Sequence, residues 1–378
     1  MNKPVSRIRN LQALRIYAAI PVILYHTNFT LPGLRPIGLF GVHLFFLMSG
    51  YIMAAICDND TTAFMRRRLI RVIPLYWTLT LILYSVAWKF PHLMGATQAR
   101  PSELFKSLFF VPFVKSNGLY QPILFVGWTV NYEMFFYMTL ALAVLINRRR
   151  AALLGASMVL SVMAFCSFFA QTSAIAKFYS DPVLLECVFG LAAYYFVRSA
   201  ARRLTPSLTP VLLTVAIGSL ILLPLFDELH AMDVVPVILR FGPLCFLLIS
   251  TACLLAFSGV DIEAKILVLL GDASYVMYLT HPYIEEFLDR VVGKYLPIFR
   301  INTPIGCLIA MAFVLPISVF LYLKIDKPTV RYLNQVICGR KRTEPALAMS
   351  TAVADPVAPA ADGMIARSAP IVREGTLA

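Results

Sequence analysis

The stretch LQALRIYAAIPVILYHTNFTLPGLRPIGLFGVHLFFLMSGYIM, residues Leu11–Met53, decides how the rest of the chain is read. Two apolar runs flank a break containing Pro32, Gly33 and Pro36. The first run carries Arg15 and His26, two ionisable groups that a lipid-exposed helix does not tolerate. Such groups inside a span point to a site or a protein-lined cavity. Eleven positions apart, they close to within about 20° of whole turns, so both fall on one stripe of a helix, about 16 Å apart along its axis.

The surrounding chain has 378 residues, of which 59% are hydrophobic and only 14% charged. A soluble domain carries about 25% charged residues, and the mean hydropathy here is +0.76. The composition is that of an all-α, polytopic membrane protein. The net charge of +13 sits in short connections between apolar runs. That is an orientation signal, not a nucleic-acid footprint, so no nucleic-acid partner is expected. Seven cysteines form no CxxC and no Cys/His cluster, which supports neither a disulfide framework nor a metal. The basic N-terminus MNKPVSRIRN reads as the flank of a retained helix.

Ten spans of about 20 residues fit: Leu11–Leu31, Ile37–Cys57, Val72–Trp88, Leu124–Ile146, Ala151–Gln171, Pro182–Val197, Leu208–Phe226, Val235–Phe257, Ile266–Leu288 and Thr303–Leu323. Lys and Arg then cluster on one side, from Arg7 and Arg9 through Arg66–Arg68, Arg148–Arg150 and Arg198 to Arg331. That bias places both termini in the cytoplasm. The longest connection, Lys89–Ile123, contains SELFKSLFFVPF (Ser102–Phe113), amphipathic enough to lie at the interface or re-enter. Residues 1–338 form the membrane domain. From Gly339 to Ala378 the composition turns rich in Ala, Pro and small polar residues, as in a disordered cytoplasmic tail.

Four clusters can carry chemistry, each with a bland alternative. His26 suits a general base near neutral pH, or is a histidine satisfied by a backbone carbonyl; Arg15 can instead snorkel to the interface. In FMRRRLIRVIPLYW, Arg66, Arg67, Arg68 and Arg71 are either positive-inside anchors or a phosphate clamp, because guanidinium forks fit phosphate oxygens. In GWTVNYEMFFY, Glu133 lies among Trp128, Asn131 and Tyr137. It pairs structurally with another span, or else orients a histidine or binds hydroxyls. In GDASYVMYLTHPYIEEF, Ser274, Tyr278 and His281 recur at helical spacing beside Tyr275. His281 reads equally as a core histidine, and Pro282 frees carbonyls for polar neighbours. A Glu186–Arg240 pair between spans is also open.

Together these pieces resemble the acyltransferase 3 family of polytopic bacterial O-acyltransferases. The resemblance rests on LQALRIYAAIPVILYH, GVHLFFLMSGYIM, RRRLIRVIPLYW, WTVNYEMFFY, GDASYVMYLTHP and the closing IDKP (Ile325–Pro328), in that order over about 330 residues. It implies transfer of an acyl group, commonly acetyl, from cytoplasmic acyl-CoA to a sugar hydroxyl at the bacterial inner membrane. His26 and Arg15 match the family's essential pair, and Arg68 and Arg71 its arginines for the CoA phosphates, with Arg67 and Arg66 beside them. Glu133, Trp128, Tyr137, Ser274, Tyr275 and His281 then become acceptor or supporting residues. The implied partners are acyl-CoA, membrane lipid, a glycan or lipid-linked oligosaccharide such as an exopolysaccharide unit, and polysaccharide-assembly proteins. No permanently bound cofactor is implied. His43 departs from the aspartate usual in the family, and Asp326 from the commoner glutamate. Direct transfer and an acyl-histidine relay both fit. The rival class is a proton-coupled transporter using His26, Glu133 and Arg15 as a relay, although paired broken helices in corresponding halves are absent.

Overall fold

In the computed structural model, residues 8–27, 37–59, 61, 63–228, 236–297 and 300–339 are described. They form an all-helical bundle of α1 (Arg9–His26), α2 (Leu39–Asn59), α3 (Phe64–Lys89), α4 (Pro101–Leu108), α5 (Trp128–Ile146), α6 (Ala151–Phe169), α7 (Ala174–Tyr179), α8 (Leu184–Ala200), α9 (Thr209–Glu228), α10 (Val237–Phe257), α11 (Lys265–Tyr295), α12 (Pro304–Leu321) and α13 (Lys327–Cys338). Among the described residues there is no strand beyond one isolated bridge, Val114 to Tyr120. The expected tail from residue 340 onward, and the end of the first span beyond Thr27, lie outside the described residues.

Each of the ten expected spans falls on a helix, but among the described residues eight helical segments are long and apolar enough to cross a membrane. The two that fall short are the described part of α1 and α11. Their polar content explains it: α1 holds Arg9, Asn10, Gln12 and Arg15, and α11 holds Asp272, His281, Glu285 and Glu286. These two helices pack on each other, and Asn10, Gln12, Asp272, His281 and Glu285 are buried in the bundle, while Glu286 stays exposed and pairs with Arg290. Gln12 meets Gly271, where an added Cβ would stand 2.1 Å from the Gln12 carbonyl oxygen. The His26 and His281 rings meet further along. Both contacts advance in the same direction, so α1 and α11 run parallel.

The long, uniformly apolar α2 sits at the centre, as an all-round hydrophobic helix must; 78% of its spanning window is buried, against 17% for α6 and α9 at the periphery. Its start is capped across the bundle by Asp227 of α9, which accepts from the Gly38 and Phe40 amides at 2.7 and 3.3 Å. That geometry satisfies amides that a helix start leaves orphaned. Its middle crosses α8 at Gly50 and Gly190, where a Cβ on either residue would lie 2.1 Å from the opposing backbone oxygen. Close backbone approach at small residues is how helices pack where no water drives them together. At one end of the pair, Asp58 accepts from Tyr194 at 2.8 Å and pairs with Arg198. Toward the other end, His43 Nδ1 lies 3.2 Å from Glu186 Oε1. Glu186 thus meets His43, while Arg240, the partner the sequence left open for it, is buried on the adjoining α10.

Three boundaries differ from expectation. Helix α3 begins at Phe64 and not Val72, so the arginine cluster lies on the helix itself. Helix α11 continues through Pro282 for 31 residues. After α12 a five-residue π-turn, Tyr322–Asp326, leads straight into α13. The amphipathic connection contains α4, where Phe105 and the following Phe109 are exposed with tilted rings 4.6 Å apart, as suits an interfacial helix. In the same connection Lys115 is buried and donates to Thr97 Oγ1 at 2.6 Å; burial pulls its ammonium down to about 8.

Gly190→Ala should lower the apparent melting temperature in detergent, since overpacking costs about 1–3 kcal/mol. Gly218→Ala, with nothing near its Cβ, should leave that temperature unchanged or slightly higher. Lys115 binds its proton more weakly folded than unfolded, so its cost is full below about pH 8 and fades toward pH 10.5. Lys115→Met should therefore raise stability at pH 7, with the gain over wild type shrinking as a melting series is carried upward through that window.

Candidate functional site

Helices α1, α2, α3, α5 and α11, with the π-turn and α13, enclose a cavity of about 220 Å³. Five cations line it, Arg15, Arg67, Arg68, Arg71 and Lys327, against three acids, Glu133, Asp272 and Asp326. The first turns of α3 place Arg67, Arg68 and Arg71 there because positions three and four apart share a helix face. Arg66 points elsewhere and is exposed.

One of these acids holds an arginine in place. Asp326 is buried by the π-turn and pairs with Arg71. Arg71 also lies 5.1 Å from the centre of the Tyr275 ring, whose hydroxyl donates to the Val72 carbonyl at 3.0 Å. A π-turn shifts the register by one residue, a device common at functional sites, and here it turns Asp326 inward. Glu133 accepts from Tyr137 and, at 3.4 Å, from Ser49. Arg68 stands 6.0 Å over the Tyr137 ring. Arg15 reaches Gln12 at 3.5 Å. After Arg71 and Asp326 are paired the lining keeps an excess of positive charge, suited to phosphate groups.

The cavity ends short of His26. At its far end Tyr278 donates to the Val126 carbonyl at 3.2 Å and meets Thr129 Oγ1 at 3.0 Å, and the His281 ring lies 6.0 Å beyond Tyr278. His26, half-buried, sits 5.1 Å from His281 and 5.6 Å from Phe125, ring centre to ring centre. Phe125 in turn donates its amide to the Tyr283 hydroxyl at 3.2 Å.

The structure therefore gathers Arg15, Arg67, Arg68, Arg71, Glu133, Tyr137, Ser274 and Tyr275 around one cavity, and sets His26 and His281 together past its end. Trp128 does not border the cavity; it packs edge-on against Tyr132. Ser49, Thr129, Asp272 and Lys327 are among the lining residues that sequence reasoning passed over, with Tyr322 and Asn334 outside any quoted motif. The only signal of the first four was residence in the quoted motifs MSGYIM, WTVNYE, GDASY and IDKP. Glu285, one turn past His281, is buried, and its Oε1 has no partner among the described residues. Among those residues no group of three or more His, Cys, Asp or Glu forms a metal site.

The site is thus a cation-rich cavity, set in a helical bundle and stopping short of a histidine pair, and comparison with known proteins gives the class of the chain. The acyltransferase domain of the acyltransferase 3 family matches residues 8–323, and the chain belongs to that family. It is similar to the "Exopolysaccharide production protein ExoZ" of Rhizobium meliloti (strain 1021), 29% identical over 306 residues that cover 78% of this chain and 90% of the relative. It is also similar to the "Acyltransferase MdmB" of Streptomyces mycarofaciens, 26% identical over 333 residues, 76% of this chain and 82% of the relative. No solved structure matches it.

Breaking the Arg71–Asp326 pair should destabilise the bundle. Losing one partner of a buried ion pair costs about 3–5 kcal/mol, and the 31% exposure of Arg71 puts Asp326→Ala near or below the lower figure. In a double-mutant cycle read by SDS-titrated unfolding, Arg71→Ala with Asp326→Ala should cost less than the two single changes added.

Proposed function

We propose that this multi-pass membrane protein is an O-acyltransferase that moves an acetyl group from cytoplasmic acetyl-CoA to a sugar hydroxyl of an exopolysaccharide or other exported glycan. The bilayer is the bacterial inner membrane, crossed ten times with both termini inside. The observation that carries this reading is the cation-rich cavity sharing the α1 stripe with His26. Arg15 lies at the charged end, and the imidazole lies about three turns away, about 16 Å along the axis. The separation suits a donor whose phosphates and thioester are far apart.

Arg68 and Arg71, with Arg67 and Arg15, hold the CoA phosphates, and Arg66 stands at the approach. His26 takes the proton from the attacking hydroxyl as its oxygen bonds to the thioester carbonyl carbon. The carbon–sulfur bond then breaks, and the proton passes from His26 to the departing sulfur. A thioester is already activated, so positioning and proton transfer supply what the reaction needs. Glu133, Tyr137, Ser274 and Tyr275 shape the cavity wall. ExoZ, by its name a protein of exopolysaccharide production, supports the choice of acceptor class. Membership of an acyltransferase family weighs against a proton-coupled transporter.

Purified His26→Ala, folded as judged by size-exclusion in detergent, should lose about 10²–10⁴-fold in acetyl transfer. Arg68→Ala should raise the KM for acetyl-CoA. Undiminished transfer by His26→Ala would remove the base from the scheme. Mass and NMR analysis of surface glycans from a deletion strain should show one missing ester, which names both the sugar and the acyl group.

A further inference from the structure

His281 is fully buried, and its surroundings define which ring nitrogen carries the proton. Nδ1 lies 3.1 Å from the Met277 carbonyl oxygen. A carbonyl only accepts, so the neutral ring must carry its hydrogen on Nδ1 and present Nε2 as a bare acceptor. The sequence Thr280–His281–Pro282 builds this locally: α11 keeps its helical course through the proline, and the ring folds back along the helix to the carbonyl four residues earlier. Nε2 is buried without a partner among the described residues. A buried acceptor left unmet in a native protein calls for an explanation.

The neighbour that can answer it is His26. The two ring centres are 5.1 Å apart with planes tilted by 50°. An N–H···N bond of about 3 Å plus two imidazole radii comes to about 5 Å, so a modest rotation of either ring makes that bond. The other rings packed on His26 are Tyr25 and Phe125: Phe125 offers no acceptor, and the phenolic oxygen of Tyr25 belongs to an exposed residue, whereas His281 Nε2 is buried and unmet. We propose that His281 is the positioning residue of His26: its Nε2 accepts the N–H of His26, which fixes the His26 tautomer and turns the second ring nitrogen, unprotonated, toward the hydroxyl that is to be acylated. The proposal rests on the reading of His26 as general base. It gives that base an orienting partner which, unlike a carboxylate, brings no negative charge into the apolar interior.

The test compares purified full-length variants, with acetyl-CoA as donor and surface polysaccharide extracted from a deletion strain as acceptor. His281→Phe keeps a buried ring and removes the acceptor. It should lower kcat about 100-fold or more while the KM for acetyl-CoA stays within about threefold, since a base held in the wrong tautomer loses most of its rate. His281→Gln can place an amide oxygen near the Nε2 position and should recover at least tenfold over His281→Phe. Wild-type kcat in His281→Phe, or equal losses in Phe and Gln variants of equal melting temperature, would overturn the proposal. If His281→Phe does not fold, His281→Gln against His281→Asn decides. The shorter amide cannot reach His26, so equal rates for the two overturn the positioning role. Full activity in His26→Ala would instead overturn the general-base reading itself, so the two failures are distinguishable.

Discussion

A charged or titratable side chain inside an apolar bundle has to be met by protein groups or by a ligand, and the arrangement of this chain follows from that demand. The two helices with too many polar residues for lipid, α1 and α11, lie against each other, joined at Gln12 with Gly271 and at His26 with His281. The arginines of α3 are met by Asp326, turned inward by a π-turn, and by the rings of Tyr137 and Tyr275. Helix α6 carries no such residue and the apolar span of α9 only Asp227, which the start of α2 meets, and both lie at the edge of the bundle.

The same demand grades the interior along one axis. Guanidinium groups gather at one end of the cavity, Glu133 with Tyr137 and Ser49 lies on its wall, and Tyr278 closes the other end next to the imidazole pair. In the proposed reaction this order matches the donor, anionic at one end and electrophilic at the other. It also keeps the base out of the field of the phosphates. Positioning by a neutral histidine suits such a place, because a second carboxylate near His26 would itself need a partner in low dielectric.

Much of this was legible in the sequence. The apolar runs located every helix expected to span, because length and hydropathy are local properties. Arg15, Arg68, Arg71, Glu133, Tyr137 and Tyr275 stood out because each is costly where it lies. What local reading placed differently was governed by distant partners. The start of α3 moved back to Phe64, where the arginines become one helix face answered by Asp326, some 255 positions away in sequence. Glu186 met His43 and not Arg240 as its hydrogen-bond partner. Ser49, Thr129 and Lys327 were passed over because single small or basic polar residues near a helix carry no periodic signal. Arg66 and Trp128 shared motifs with site residues, yet their helical angle turns them away.

The sequence by itself determined the class of the protein, the helices that its apolar runs form and the two costly residues on the first stripe, since composition, period and spacing are written along the chain. Tertiary structure alone decided that α11 lies against α1, that a π-turn delivers Asp326 to Arg71, and that the cavity stops at Tyr278 with His26 and His281 beyond it. The physical reason is that burial and pairing depend on which faces meet across the bundle. Those meetings are set by glycines such as Gly50, Gly190 and Gly271, where backbones touch and no side chain could stand.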